Sequence, residues 1–175
     1  ELDIITTTIQ NSVEDKLLQY RALLSGGKGF FIASNIVEPQ EWTEFVKAQN
    51  IQERFPGIQG FGFIKHVGDD EELVNLIQFM KNHGIADFNV WPEGKREKYY
   101  PIIYLWPQNN QNSRAIGYDI YSEQIRKTTV DFSESSGHNA ITGKIVLVSE
   151  SERDIQNGFL MIQPIYEDRK STRLN

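Results

Sequence analysis

Leu2, Ile5, Ile9, Val13, Leu17, Tyr20 and Leu24 follow one another at spacings of three and four, with polar residues on the opposite side. That period predicts an amphipathic helix, and Gly26 and Gly27 predict its stop and a hinge. At about 1.5 Å per residue such a helix is roughly 36 Å long. It suits a protruding stalk that pairs with a second copy as well as it suits an ordinary docking helix. A second helix is signalled by Glu38 and Pro39, with Pro at the first helical position and Trp42, Phe45 and Val46 on its apolar side. Pro56 and Gly57 mark a turn. A strand over 58–67 follows, in which Phe61 and Phe63 alternate with Gly60 and Gly62, where backbone passes close to a neighbour.

Asp69 and Asp70 open a third helix over 69–82, with Leu73, Val74, Ile77, Phe79 and Met80 as its apolar positions and Gly84 after its end. Short strands are expected over 88–91 and 99–106, parted by the loop PEGKREK, and a third in AIGYDIY beyond the polar turn QNNQNSR. Ser122 and Glu123 open a helix that runs through Phe132 and ends near Gly137. KIVLVS and GFLMIQPIYE read as two strands paired across ESERDIQN. Strands this close in sequence pair antiparallel, so the fold class is α+β rather than a doubly wound sheet.

Composition changes this picture by exclusion. The 175 residues fit one domain able to close a core without staples. A net charge of −6 without a basic run argues against nucleic acid. The lack of cysteine excludes disulfides, thiolate metal sites and a cysteine nucleophile. No apolar run reaches membrane-spanning length, and no signal peptide opens the chain. The first residues have mid-helix character, as in a piece of a longer protein.

Chemistry-bearing patterns are sparse. His66, His83 and His138 lie in no ligand spacing, so no metal is expected. SSGHN has no nucleophile elbow around it, and SGGKGF lacks the Lys-Ser/Thr ending and preceding strand of a phosphate loop. Asp69, Asp70, Glu71 and Glu72 answer a helix dipole. No cofactor motif is present.

Two features remain. In YYPIIYLWP, strand alternation places Tyr100, Ile102, Tyr104 and Trp106 on one face and Tyr99, Ile103 and Leu105 on the other. Both faces are apolar, as in a core strand or in the wall of a small-molecule pocket. Asp119 stands among Ile116, Tyr118, Ile120 and Tyr121. A carboxylate in such surroundings needs donors, either from a ligand or from the amides that start the next helix.

The succession FPGIQGFGFIKHV, FNVWPEGKREKYYPIIYLWP, AIGYDIYSEQIR and GFLMIQPIY, from Ser34 to Tyr166, resembles the CHASE domain. That family forms the extracytoplasmic sensor of membrane histidine kinases and nucleotide cyclases, diguanylate cyclases and plant cytokinin receptors among them. The resemblance implies a stalk helix and hinge over 1–33 and a membrane-distal, PAS-like ligand-binding module over 34–167, with a mostly antiparallel sheet flanked by helices. Residues 168–175 would be a linker or the start of a truncated membrane-proximal module. It implies that Asp119 receives ligand N–H groups and that Tyr100, Tyr104 and Trp106 wall the cavity. AITG would add Ile141 and Thr142, with Leu160 beside them. Where plant receptors carry a Thr at a further polar contact, this chain has Asp154 or a neighbour, and its residues around Tyr104 and Trp106 are bulkier. The expected partners are a small molecule with N–H donors and a second copy through the N-terminal helix, in a periplasmic part of a membrane-anchored, non-enzymatic receptor. Two rivals are a small hydrolase or lyase pairing Asp119 with Tyr118 or Tyr121, and a cavity-free domain that senses a protein partner.

Overall fold

Helix α1 (Leu2–Ala33) runs through Gly26 and Gly27 without a break, and its 32 residues make a rod of about 48 Å. In this computed structural model residues 2–148 and 157–166 are described. Residues 3–16 of α1 are exposed all round, and Ile9 and Val13 of the apolar stripe lie 60% and 53% open. The helix meets the core only from Leu17 onward, where Leu23 and Gly27 are buried.

The expected stop at the glycine pair is corrected, and the two glycines behave differently. A β-carbon on Gly26 would meet nothing within 4 Å, whereas one on Gly27 would stand 2.9 Å from Cζ of Phe61. Gly27 is a notch for an aromatic ring, and burial of Phe30 and Phe31 beyond it outweighs the weak helix propensity of two glycines. Gly26→Ala is therefore expected to stabilise the protein by about 0.5–1 kcal/mol and Gly27→Ala to destabilise it by about 1–3 kcal/mol. Urea denaturation of the two variants tests this. Equal effects would mean that the helix does not seat Phe61 at this point.

Helix α2 (Pro39–Ala48) is closed at its start by a reciprocal pair: Glu38 caps the helix and Glu41 Oε2 accepts from the Glu38 amide at 2.9 Å. A short α3 (Ile51–Arg54), which the apolar pattern did not announce, leads to β1 (Phe61–Ile64). Helix α4 (Asp70–Asn82) follows, and Asp69 accepts from Glu72 N at its start. Strand β2 (Ile102–Trp106) pairs antiparallel with β1, Phe61 opposite Trp106 and Phe63 opposite Tyr104. The expected polar turn after it holds a helical turn, α5 (Asn110–Ser113), capped by Asn109. A 3-10 turn (Ile120–Ser122) and α6 (Gln124–Ser136) come next, then the short strands β3 (Ala140–Ile141), β4 (Ile145–Val146), β5 (Asn157–Gly158) and β6 (Met161–Ile162). The last four pair antiparallel, β3 with β6 and β4 with β5. The fold is α+β, a long helix followed by small antiparallel sheets.

Three strand expectations are corrected. The 99–106 strand shrinks to β2 with looser pairing before it, Val67 to Tyr99 and Lys65 to Pro101. The 88–91 segment and AIGYDIY form single bridges, Trp91 to Tyr118 and Pro101 to Asp119, because the chain turns at Gly117 (φ +80°) instead of extending. GFLMIQPIYE is divided between two pairings rather than one.

The register also shifts within β1–β2. Tyr104 faces Phe63 but Ile102 faces Ile64, so Ile103 is the extra residue of a bulge. The bulge breaks the expected single face. Tyr104 and Trp106 pack with Ile103 in the core that α1, α2 and α4 share, while Tyr100 and Ile102 belong to a second cluster with Tyr118, Ile120 and Val130. The first core is an aromatic stack, with Phe31 on Phe63 at 3.8 Å, Phe30 on Phe45 at 4.3 Å and Trp42 on Phe61 at 5.5 Å between ring centres. Tyr104 sits within it and donates its hydroxyl to Val37 O at 2.6 Å. Strand β2 thus has protein side chains on both faces.

Candidate functional site

Residues 117–120 run between the start of β2 and the segment that ends at Trp91. Gly117 N donates to Ile102 O (2.8 Å), Ile102 N to Tyr118 O (3.0 Å), Ile120 N to Tyr100 O (3.1 Å) and Asp119 N to Trp91 O (2.7 Å). Pinned on two sides, Asp119 is 0% exposed. Its Oδ1 accepts from Tyr100 N at 2.8 Å and from Tyr121 N at 3.0 Å, which also caps the 3-10 turn. Its Oδ2 is buried without a hydrogen bond, and Arg96 Nε lies 3.4 Å away in an ion pair. A buried carboxylate keeps its charge only when donors and a cation compensate it. Here the amides and the cation are present, but one oxygen lacks a donor of good geometry.

Arg96 reaches this position from the polar loop between the Trp91 segment and β2. Its Nη1 donates to Gly94 O at 3.1 Å and its Nη2 to Pro92 O at 3.0 Å, while the guanidinium lies over the Tyr99 ring. The Trp91-Pro92 and Trp106-Pro107 bonds, one on either side of this region, are both cis. A cleft of about 330 Å³ opens beside the loop, lined by Arg96, Glu97, Tyr121, Ser122, Gln124 and Lys127. Arg96 and Tyr121 are common to the cleft and to the surroundings of Asp119. A larger hollow of about 670 Å³ lies elsewhere, between α1 and α2, and is bordered by Phe30, Phe45, Glu38, Glu41 and Glu44. Glu38 and Glu41 are already engaged there in capping α2.

A further charged group rests on the two tyrosines whose amides serve the acid. Lys98 Nζ pairs with Glu134 at 2.5 Å and with Asp131 at 3.5 Å, and it rests over the rings of Tyr100 and Tyr121. Burial works against the ammonium, but the hydrogen bond and charge of Glu134 outweigh it, so the Lys98 pKa is raised. Burial likewise opposes ionisation of Glu134, yet Lys98 holds its pKa below the usual glutamate value. Tyr100 is pushed up, by burial first and then by Glu134. Its hydroxyl is buried without a partner of hydrogen-bonding geometry. The Tyr121 phenol donates to Asp131 at 2.7 Å. Tyr121 therefore meets Asp119 through its amide and turns its phenol to Asp131, so the pairing of the Tyr121 phenol with Asp119 in the hydrolase or lyase reading is not assembled.

The seven residues expected at the site are spread over three places. Asp119 and Tyr100 are joined directly. Tyr104 and Trp106 lie in the other core, beyond the bulge. Ile141, Thr142 and Leu160 belong to the β3–β6 pairing: Thr142 Oγ1 accepts from Leu160 N and Thr142 N donates to Leu160 O, both at 2.9 Å, while Ile141 is 43% exposed. The β3–β6 pair reaches the Asp119 side through Ile162, which packs on the Tyr100 and Tyr118 cluster. Asp154 and the 168–175 tail lie outside the described residues. Sequence reading missed Arg96, Lys98 and Arg126. Arg126 is buried, donates Nη2 to Val146 O at 2.6 Å and pairs with Glu123 at 3.1 Å. An arginine in an apolar-periodic helix is the one local signal among the three.

Among the described residues no group of His, Asp and Glu is arranged to hold a metal, and no helix is long and apolar enough to cross a membrane. The family model of the CHASE domain matches residues 35–175. The chain belongs to the CHASE domain family. No curated protein matches it. CHASE domains are extracellular sensor domains of signalling receptors, sensory rather than catalytic. The CHASE match takes in β1, β2, the Asp119 turn and the Arg96 loop, and begins just after α1.

Proposed function

We propose that this CHASE domain senses a small molecule outside the cytoplasmic membrane of a bacterium, as the input of a transmembrane histidine kinase or nucleotide cyclase. Residues 34–167 form the membrane-distal, PAS-like ligand module on a stalk of residues 1–33. The observation that carries the reading is Asp119, a fully buried carboxylate with one oxygen lacking a hydrogen bond, in contact with Arg96 and Tyr121, which both line a cleft. A carboxylate in that position selects for N–H donors, because a ligand without them leaves the acid unpaired. Ligand capture shifts the population between two arrangements of the stalk helices. Two copies meeting along the exposed stripe of α1 transmit that shift through a twofold axis.

Thermal melting against a panel of metabolites tests this. A binder present at about a hundred times its dissociation constant adds roughly 2.7 kcal/mol, and Asp119→Asn is expected to remove that gain. A panel that never moves the wild-type transition counts against small-molecule sensing. A second reading, a domain that senses a protein partner and has no cavity, is supported by the side chains packed on both faces of β2. Capture of a defined periplasmic partner, unaffected by Asp119→Asn, would replace the first reading.

A further inference from the structure

We propose that Arg96 is a tethered occupant of the ligand seat at Asp119, and that the molecule which displaces it is itself a cation rich in N–H donors, of the amidinium or guanidinium type. This rests on the sensing role proposed for the same site.

Three observations carry it. Asp119 has no exposure, so whatever faces Oδ2 must supply positive charge as well as a hydrogen. Arg96 supplies the charge but does so poorly. Its Nε stands 3.4 Å from Oδ2, no hydrogen bond forms, and Nη1 and Nη2 are directed to Gly94 O and Pro92 O. A free cation that brings the charge and also aligns a donor on Oδ2 therefore outcompetes it, which a neutral donor does not. Lastly, Arg96 is shared by the acid and the cleft, and its side chain is 19% exposed. Rotation of that side chain toward solvent connects the cleft to the carboxylate and leaves the guanidinium hydrated.

Chemical rescue tests this without knowledge of the natural ligand. Arg96→Ala removes the atoms that N-ethylguanidinium replaces. At about 10 mM, N-ethylguanidinium chloride is expected to raise the melting temperature of Arg96→Ala by about 2 °C or more. It should leave the Arg96→Ala/Asp119→Asn double variant unmoved and should raise the wild type too, but by less, because there it must first displace Arg96. Tetramethylammonium chloride, which has charge without N–H, and urea, which has N–H without charge, are expected to do nothing at that concentration. If Arg96→Ala does not fold alone, its refolding yield with and without N-ethylguanidinium is the readout, and a yield that depends on the cation supports the proposal. Equal behaviour of Arg96→Ala with and without the cation overturns the self-occupied seat. Equal rescue by urea overturns the cationic class. Either failure, alongside a metabolite that still stabilises the wild type through Asp119, leaves the sensing role standing and removes only this inference.

Discussion

Asp119→Ala is expected to lower the folding stability by about 3–5 kcal/mol, the usual cost of breaking a buried ion pair from one side. Three groups lose their partner at once: the amides of Tyr100 and Tyr121, which donate to Oδ1, and the Arg96 guanidinium beside Oδ2. Each unsatisfied buried donor costs about 1–3 kcal/mol on its own. The Tyr100 amide remains buried, but the Tyr121 amide is only part-buried and Arg96 can swing toward the cleft and rehydrate, which keeps the total below the sum. Asp119→Asn should cost less, about 2 kcal/mol, because the amide oxygen still accepts from both backbone donors while its NH2 opposes another donor on Arg96. Arg96→Met separates the two effects. In the Asp119→Ala/Arg96→Met pair the charge is removed together with its counter-charge, so the double variant should be more stable than the sum of the single changes predicts. Urea denaturation with unchanged slopes measures all four proteins. Strict additivity would show that Arg96 does not neutralise Asp119.

The helices were legible because their signals are local. The stripe at 2, 5, 9, 13 and 17, the Asp69 cap, the Pro39 start and Gly137 after α6 each depend on residues within a turn or two. The errors arose wherever a distant partner decides the outcome. Gly26 and Gly27 read as a stop, yet the second of them is fixed by Phe61 from another element. Period-two alternation placed Tyr100, Tyr104 and Trp106 together, and a single inserted residue, Ile103, sent them to different cores. For the site, the apolar neighbours of Asp119 pointed to burial and to capping amides, and both are present. Its cation was not legible. Arg96 sits in a polar loop, 23 residues before the acid, among Lys95, Glu97 and Lys98, and nothing local separates it from a solvated charge. The loop reaches the acid because both of its ends are tied to the acid's turn, through Trp91 to Gly117 and Asp119 and through Tyr100 to Asp119 and Ile120.

That junction gives the other large expected effect. Gly117→Ala should destabilise the protein by more than about 3 kcal/mol, through the sum of a conformational and a steric cost. At φ +80° an alanine pays roughly 1 kcal/mol or more for the left-handed conformation. Its β-carbon would also stand 2.0 Å from Asn89 O and 3.2 Å from Asn89 C, both backbone atoms that cannot rotate away. Relief requires moving the Asn89 segment, and that would break the Trp91 N to Gly117 O bond (3.0 Å) and the Asp119 N to Trp91 O bond (2.7 Å). The indole of Trp91, which donates to Ile116 O at 3.0 Å, would be displaced as well. Gly84→Ala is the matched control. Gly84 also has a positive φ (+95°), but its added β-carbon would meet nothing within 4 Å, so only the conformational part remains. A Gly117→Ala protein no less stable than Gly84→Ala would mean that the 89–91 segment does not lie against residue 117. The link that brings Arg96 to Asp119 would be weakened with it, because this crossing anchors one end of the loop to the acid's turn while Tyr100 holds the other.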